Sequence, residues 1–163
     1  RCGREPHGEL ALANLAVGHG DISLTTVHAA VLAALIAQNG VLVPPYLIED
    51  AKSILNLGYY SHHAEPRQLL ADDLNFRRVK KAMATVVTDG KGTGHRAGPA
   101  AGLAVKTGSS SDGRGGFDAL VIGFYPVANP RFAFAFRLEN AGRAELNGAL
   151  FLRDLAAILG ANE

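Results

Sequence analysis

The sequence predicts an α+β fold, an antiparallel sheet of about three strands with helices packed on it. Three apolar stretches, 103–109, 119–124 and 131–138, follow one another through connections too short to hold a crossover helix, so neighbouring strands should run antiparallel. Two earlier stretches, 26–38 and 74–87, carry apolar residues at helical rather than alternating spacing. A last stretch, 143–159, returns to the helical pattern after the strands, which separates helices from strands along the chain as α+β folds do. With 163 residues, 48% of them hydrophobic, the chain fits one domain or a large piece of one, with ample apolar surface for a core.

Taken in order, residues 1–9 are polar and contain Gly3, Pro6 and Gly8, the composition of a loop or frayed end. The apolar run 10–17, closed by Gly18 and Gly20, has no decisive period. Thr25 suits an N-cap, because its hydroxyl can accept a backbone N–H of the turn that follows. The helix it opens is expected over 26–38, with Asn39-Gly40 as a left-handed C-cap. Val27, Ala30, Val31, Ala34 and Leu35 share one face, and Leu32 and Ile36 make the helix apolar almost all round, so it is expected at the centre. Val41 to Val43 should be extended, and Pro44-Pro45 bars helix continuation. Residues 46–48 continue as an edge or loop, and 49–70, with Gly58 and Pro66, read as a surface excursion with room for one short helix.

Asp72 or Asp73 can cap the next helix, over 74–87, where Phe76, Val79, Met83 and Val86 recur at helical spacing with Arg77, Arg78, Lys80 and Lys81 between them. A glycine-rich linker, 90–102, leads to the first strand, and 110–116 read as a flexible loop of small polar residues. After the strand 119–124 and a turn, the strand 131–138 places Phe132, Phe134 and Phe136 on one face. Ala133 and Ala135 on the other leave room for a packed helix. The final helix should turn Leu146, Leu150, Leu155 and Ile158 inward. No internal repeat is present.

Composition narrows the function. A formal charge of +1, without a basic cluster interleaved with aromatics, argues against nucleic acid as a partner. Cys2 is the only cysteine and cannot form an internal disulfide. The longest apolar run, 27–37, is broken by His28 and is too short to span a bilayer. There is no signal peptide, and the chain opens on Arg1 rather than Met, as expected of an excised or processed piece. His62-His63 with Glu65 could suggest a metal, but adjacent side chains on a regular element point apart and no H-E-x-x-H or cysteine pair accompanies them. His19 and His28 flank the start of the first long helix and read as core or boundary histidines. Gly90-Lys91-Gly92-Thr93-Gly94 lacks the spacing and ending of a Walker loop, so turn glycines are the better reading. Neither a metal nor a cofactor is expected.

The chemistry concentrates in Leu103-Ala104-Val105-Lys106-Thr107-Gly108-Ser109, a strand that begins apolar and ends polar. An ammonium near the end of such a strand is costly to remove from water unless something anionic pairs with it. Thr107 and Ser109 alternate, so their hydroxyls leave the same face, and Gly108 between them lets another group approach the backbone. A cation, two hydroxyls and an open backbone edge form a grip for a carboxylate.

Lys106-Thr107-Gly108 resembles the Lys-Thr-Gly box of the penicillin-recognising serine enzymes, the penicillin-binding transpeptidases, carboxypeptidases and serine β-lactamases. The flanks resemble the same family. Gly18 to Thr26, the helix after it and Asn39-Gly40 are similar to the segment that precedes the box in high-molecular-weight transpeptidases. Met83-Ala84-Thr85-Val86-Val87 with Gly92-Thr93-Gly94 resembles the helix and turn just before it, and Leu120 to Pro126 the strand just after it. This sequence has Ser109 where many transpeptidases have Thr, Val105 where Gly is common and Leu120-Val121 where Trp-Phe is common. It contains no Ser followed three residues later by Lys and no Ser-x-Asn triplet, and Ser111-Asp112-Gly113 imitates only part of the latter.

The resemblance implies the C-terminal half of a transpeptidase-like domain: loop and short element over 1–17, a mainly helical part over 18–102, and strands with a C-terminal helix over 103–163. It implies catalytic roles for Lys106 and Thr107 and substrate-binding roles for Gly108 and Ser109, with Ser109 also supplying an oxyanion-hole N–H. The implied reaction is acyl transfer from a peptidoglycan stem peptide, which a β-lactam mimics, in an extracytoplasmic protein anchored outside this chain. The implied partner is the N-terminal half of the domain or, in its absence, a second copy. A binding or assembly module that kept the fold and lost the nucleophile is the alternative.

Overall fold

The computed structural model describes residues 8–18, 23–46, 65–71, 73–98, 101–111 and 115–161. Among them are four α-helices, α1 (Glu9–Ala16), α2 (Thr26–Ala37), α3 (Asp73–Thr88) and α4 (Ala149–Gly160). The principal sheet contains β3 (Ala104–Ser111), β4 (Phe117–Tyr125) and β5 (Phe132–Leu138) in the order β3-β4-β5. Both pairings are antiparallel, with Val105 opposite Gly123 opposite Phe134 and Thr107 opposite Val121 opposite Phe136. The expected α+β architecture with a three-stranded antiparallel sheet is therefore present. A separate ribbon pairs β1 (Val41–Leu42) with β2 (Arg67–Gln68).

The alternation of side chains along each strand divides the core in two. On one face Val105 and Val121 join Leu103, Tyr125, Val87 and Leu152, with the three phenylalanines and Ala156 packed alongside. On the other, Ala104 and Phe124 meet Ala37 of α2 and Met83 of α3. Helix α3 thus serves both clusters, Val87 on one side and Met83 on the other. The Phe136 ring lies 4.6 Å from that of Phe151 on α4, the two planes tilted by 58°, and Ala133 and Ala135 point away from the phenylalanines, with α2 packed on β5. The expected phenylalanine core and the helix over the small residues are both found.

Local signals explain the ends of α2. Thr25 Oγ1 accepts from the His28 backbone N–H at 3.2 Å, as an N-cap should, and its hydroxyl also meets His28 Nδ1 at 2.8 Å. At the other end Asn39 and Gly40 have φ of 52° and 87°, the expected left-handed termination. Gly40 is needed for a second reason: a Cβ there would lie 2.2 Å from the Leu70 carbonyl oxygen. Lys80 reaches across from α3 and donates to the Ala37 carbonyl at 3.2 Å, a cation on the negative end of α2.

Several expectations are corrected. The undecided run 10–17 is α1, which buries none of its residues. Helix α2 turns Ala33 and Ala37 inward, and Val27 is 56% and Leu32 42% exposed. Small residues face the sheet because they allow close approach, and the all-round apolar composition concealed that choice. In α3, Val87 rather than Val79 completes the buried face with Met83. The C-terminal helix opens with a π turn, Ala144–Gly148, before α4. The wider turn shifts the helical phase, so Ala149, Leu152, Ala156 and Leu159 face the sheet while Leu146, Leu150 and Ile158 are exposed. Ser110 and Ser111 extend β3 rather than begin a loop, and β4 starts two residues early, at Phe117. The partner of β1 was not foreseen. His19, the His62-His63 pair, Cys2, Asp72 and Asp112-Gly113 lie outside the described residues. Among the described residues no helix is long and apolar enough to cross a membrane.

Candidate functional site

Strand β3 pairs on one side only, with β4, so its other edge carries no strand among the described residues. Its first residues are anchored: Ala104 and Val105 are fully buried, and α3 packs against this strand. Beyond Val105 the strand emerges, and Lys106, Gly108, Ser109 and Ser110 are exposed. The apolar-then-polar composition of the sequence is thus a physical division of one strand, half in the core and half in solvent.

The four candidate residues are brought together by this strand, and their side chains are held differently. The Lys106 ammonium bends back and donates to the Thr107 carbonyl, and no carboxylate among the described residues forms an ion pair with it. The anion expected beside this cation is therefore not supplied by the described residues. Thr107 is 8% exposed, and its Oγ1 lies 2.6 Å from Thr93 Oγ1. Ser109 Oγ accepts the backbone N–H of Ala144 at 3.0 Å, which ties β3 to the π turn. Gly108 leaves open space, with nothing nearer to a Cβ built on it than Leu120 at 3.9 Å.

Thr93 is the residue that sequence reading passed over, since its surroundings read as turn glycines. The turn is clamped on the end of α3. Gly94 N–H donates to the Val86 carbonyl at 3.0 Å, and a Cβ on Gly92 would come within 2.2 Å of that oxygen. Only glycine permits this approach, and the result carries Thr93 to Thr107. A hydroxyl between two glycines, just before a polar strand, was the available signal.

Behind the exposed end of β3, Asp118 accepts from Arg137 Nε at 3.0 Å and from the Asn140 backbone N–H at 3.0 Å. The hydrogen bond from Arg137, supported by that from Asn140, holds the Asp118 carboxyl below the usual carboxylate range, and the same pairing raises the Arg137 guanidinium. Asp118 lies opposite Ser110, so this pair braces the strand next to the candidate site rather than forming part of it. Among the described residues no group of three His, Cys, Asp or Glu side chains could hold a metal ion.

Comparison with known proteins assigns the family. The penicillin-binding protein transpeptidase domain matches residues 3–153. The chain belongs to that family. Its structure is similar to penicillin-binding protein 2 of Pseudomonas aeruginosa in complex with WCK 5153, at 27% identity and a TM-score of 0.72, over 90% of this chain and 32% of that one. It is also similar to the D,D-transpeptidase domain of a peptidoglycan glycosyltransferase from Eggerthella lenta, at 26% identity and a TM-score of 0.63, over 84% and 32%. Penicillin-binding protein A of M. tuberculosis, as its penicillin G acyl-enzyme complex, shares the fold at 24% identity and a TM-score of 0.63, over 91% and 35%. The transpeptidase-family chain thus spans about a third of the length of these structures. No curated protein matches it.

Proposed function

We propose that this chain is the C-terminal portion of a peptidoglycan D,D-transpeptidase and that the exposed end of β3 is one wall of its site. The observation that carries the reading is the half-buried strand: the Lys-Thr-Gly box begins where β3 leaves the core, on a strand with one edge unpaired. Lys106 supplies positive charge for the substrate carboxylate and holds the hydroxyls of the other wall. Thr107 and Ser109 donate to that carboxylate in charge-assisted hydrogen bonds. The backbone N–H of Ser109 serves the oxyanion hole, where one donor is worth about 2.7–4 kcal/mol.

The nucleophile belongs to the half of the domain outside this sequence, which has no Ser-x-x-Lys. There a serine oxygen attacks the carbonyl carbon of the penultimate D-alanine, its proton passes to the departing amine, and terminal D-alanine leaves. An amine from a neighbouring strand then displaces the serine. A β-lactam enters the same first step and stays attached. The site faces the extracytoplasmic side, where the stem peptide is, and this chain alone is inactive.

The test is acylation of the full-length protein by a labelled penicillin. Wild type should be labelled stoichiometrically, and Lys106→Ala should lower the rate at least a hundredfold. Normal labelling of Lys106→Ala would overturn the assignment of β3. No labelling of wild type would favour the assembly module. Intact mass of this chain alone after β-lactam treatment should show no adduct.

A further inference from the structure

We propose that Thr93 is a positioning residue for this site: it donates its hydroxyl proton to Thr107 Oγ1 and so leaves the Thr107 proton free for the ligand carboxylate. The inference rests on the reading of β3 as a carboxylate-binding wall. It follows from counting protons. A threonine hydroxyl has one proton and two lone pairs, whereas a carboxylate only accepts. Thr107 can therefore hold a carboxylate only by giving it that one proton. The contact of 2.6 Å between Thr107 Oγ1 and Thr93 Oγ1 also needs one proton between the two oxygens. If Thr107 supplied it, none would remain for the ligand, so Thr93 supplies it.

Ser109 shows the same arrangement with a backbone donor. The Ala144 N–H can only donate, so Ser109 Oγ accepts at 3.0 Å and its own proton is available. Thr93 does for Thr107 with a side chain what Ala144 does for Ser109 with the main chain. The position of Thr93 is fixed by its turn. A Cβ on Gly94 would meet Val86 O at 3.2 Å and Val105 Cγ2 at 3.3 Å, so the turn lies directly against α3 and the buried start of β3. Thr93 itself is exposed, so no need of the core calls for a threonine there.

The experiment measures acylation rates of the full-length protein by benzylpenicillin and by its methyl ester, which cannot receive a charge-assisted bond at the carboxylate. Thr93→Val keeps the shape and removes the proton, Thr93→Ser keeps the proton, and Thr93→Ala guards against a valine that fails to fold. Thr93→Val and Thr93→Ala should react roughly tenfold more slowly with benzylpenicillin, and Thr93→Ser within about twofold of wild type. The loss should vanish with the ester and in a Thr107→Val background. A loss that persists with the ester or without Thr107 would overturn the inference, as would a Thr93→Ser variant as slow as Thr93→Val. Wild-type acylation with no effect of Thr93→Val sinks this inference and leaves the transpeptidase reading standing. Failure of wild type to acylate removes both.

Discussion

On the sheet face that carries Val105, Val121 and the three phenylalanines, α4 and the end of α3 close the core, and Leu152 and Val87 are both 0% exposed. Along α1 and α2 the picture differs: Leu10 is 76%, Leu12 59%, Val17 71% and Val27 56% exposed. Both regions are rich in apolar residues, so composition does not distinguish them. Partners do. The inner sheet face finds its cover within the described chain, although α4 leaves Leu150, Phe151 and Ile158 exposed on its outer side, whereas α1 buries none of its residues and α2 only Ala33 and Ala37. Surface of that kind marks an interaction face, which supports the proposal that the rest of a transpeptidase domain, or a second copy, packs there.

Four variants test the contrast. The largest loss is expected at Leu152→Ala, which empties the closed core: about 2–5 kcal/mol in denaturant unfolding. A loss below about 1 kcal/mol would mean that α4 is not integral to the core. Gly123→Ala should cost about 1–3 kcal/mol by overpacking, because the new methyl would sit 2.5 Å from the Ala104 carbonyl oxygen and 2.8 Å from Phe134. An unchanged midpoint would contradict the close approach of β3 and β4 there.

The third effect depends on pH. The Asp118 carboxyl is depressed in the folded state, so its contribution is complete above the unfolded value of about 3.9 and is lost as pH falls through the lower folded value. Unfolding free energies of wild type and Asp118→Asn should therefore converge below about pH 4, and a constant difference across that range would argue against the Arg137 pairing. The smallest effect on stability is expected from Leu10→Gln with Val27→Thr, within about 0.5 kcal/mol. Light scattering should nevertheless show weaker self-association. A large loss of stability would place these residues in a core of the chain's own.

Legibility in the sequence followed the same division. The strand phase of 132–138 was readable, because alternation of Phe with Ala leaves only one way to bury three rings. Thr25 and Asn39-Gly40 were readable because caps are local chemistry. The buried face of α2 was not, since nearly every position is apolar and only the neighbours decide which side is covered. The inward face of α4 was not, because the π turn at Ala144–Gly148 shifts the phase, and that turn packs against β3 and β4.

By itself, the sequence determined the order and type of the main elements, the antiparallel sheet and the Lys106–Ser109 stretch as a place of polar chemistry. These depend on local period, capping and residue type. The tertiary structure alone decided that Thr107 is buried between exposed Lys106 and Gly108, that Ser109 is tied to Ala144, and that Thr93 meets Thr107. Each joins residues 14 or more apart in sequence or depends on what packs against β3, and no local pattern encodes a distance that only folding closes.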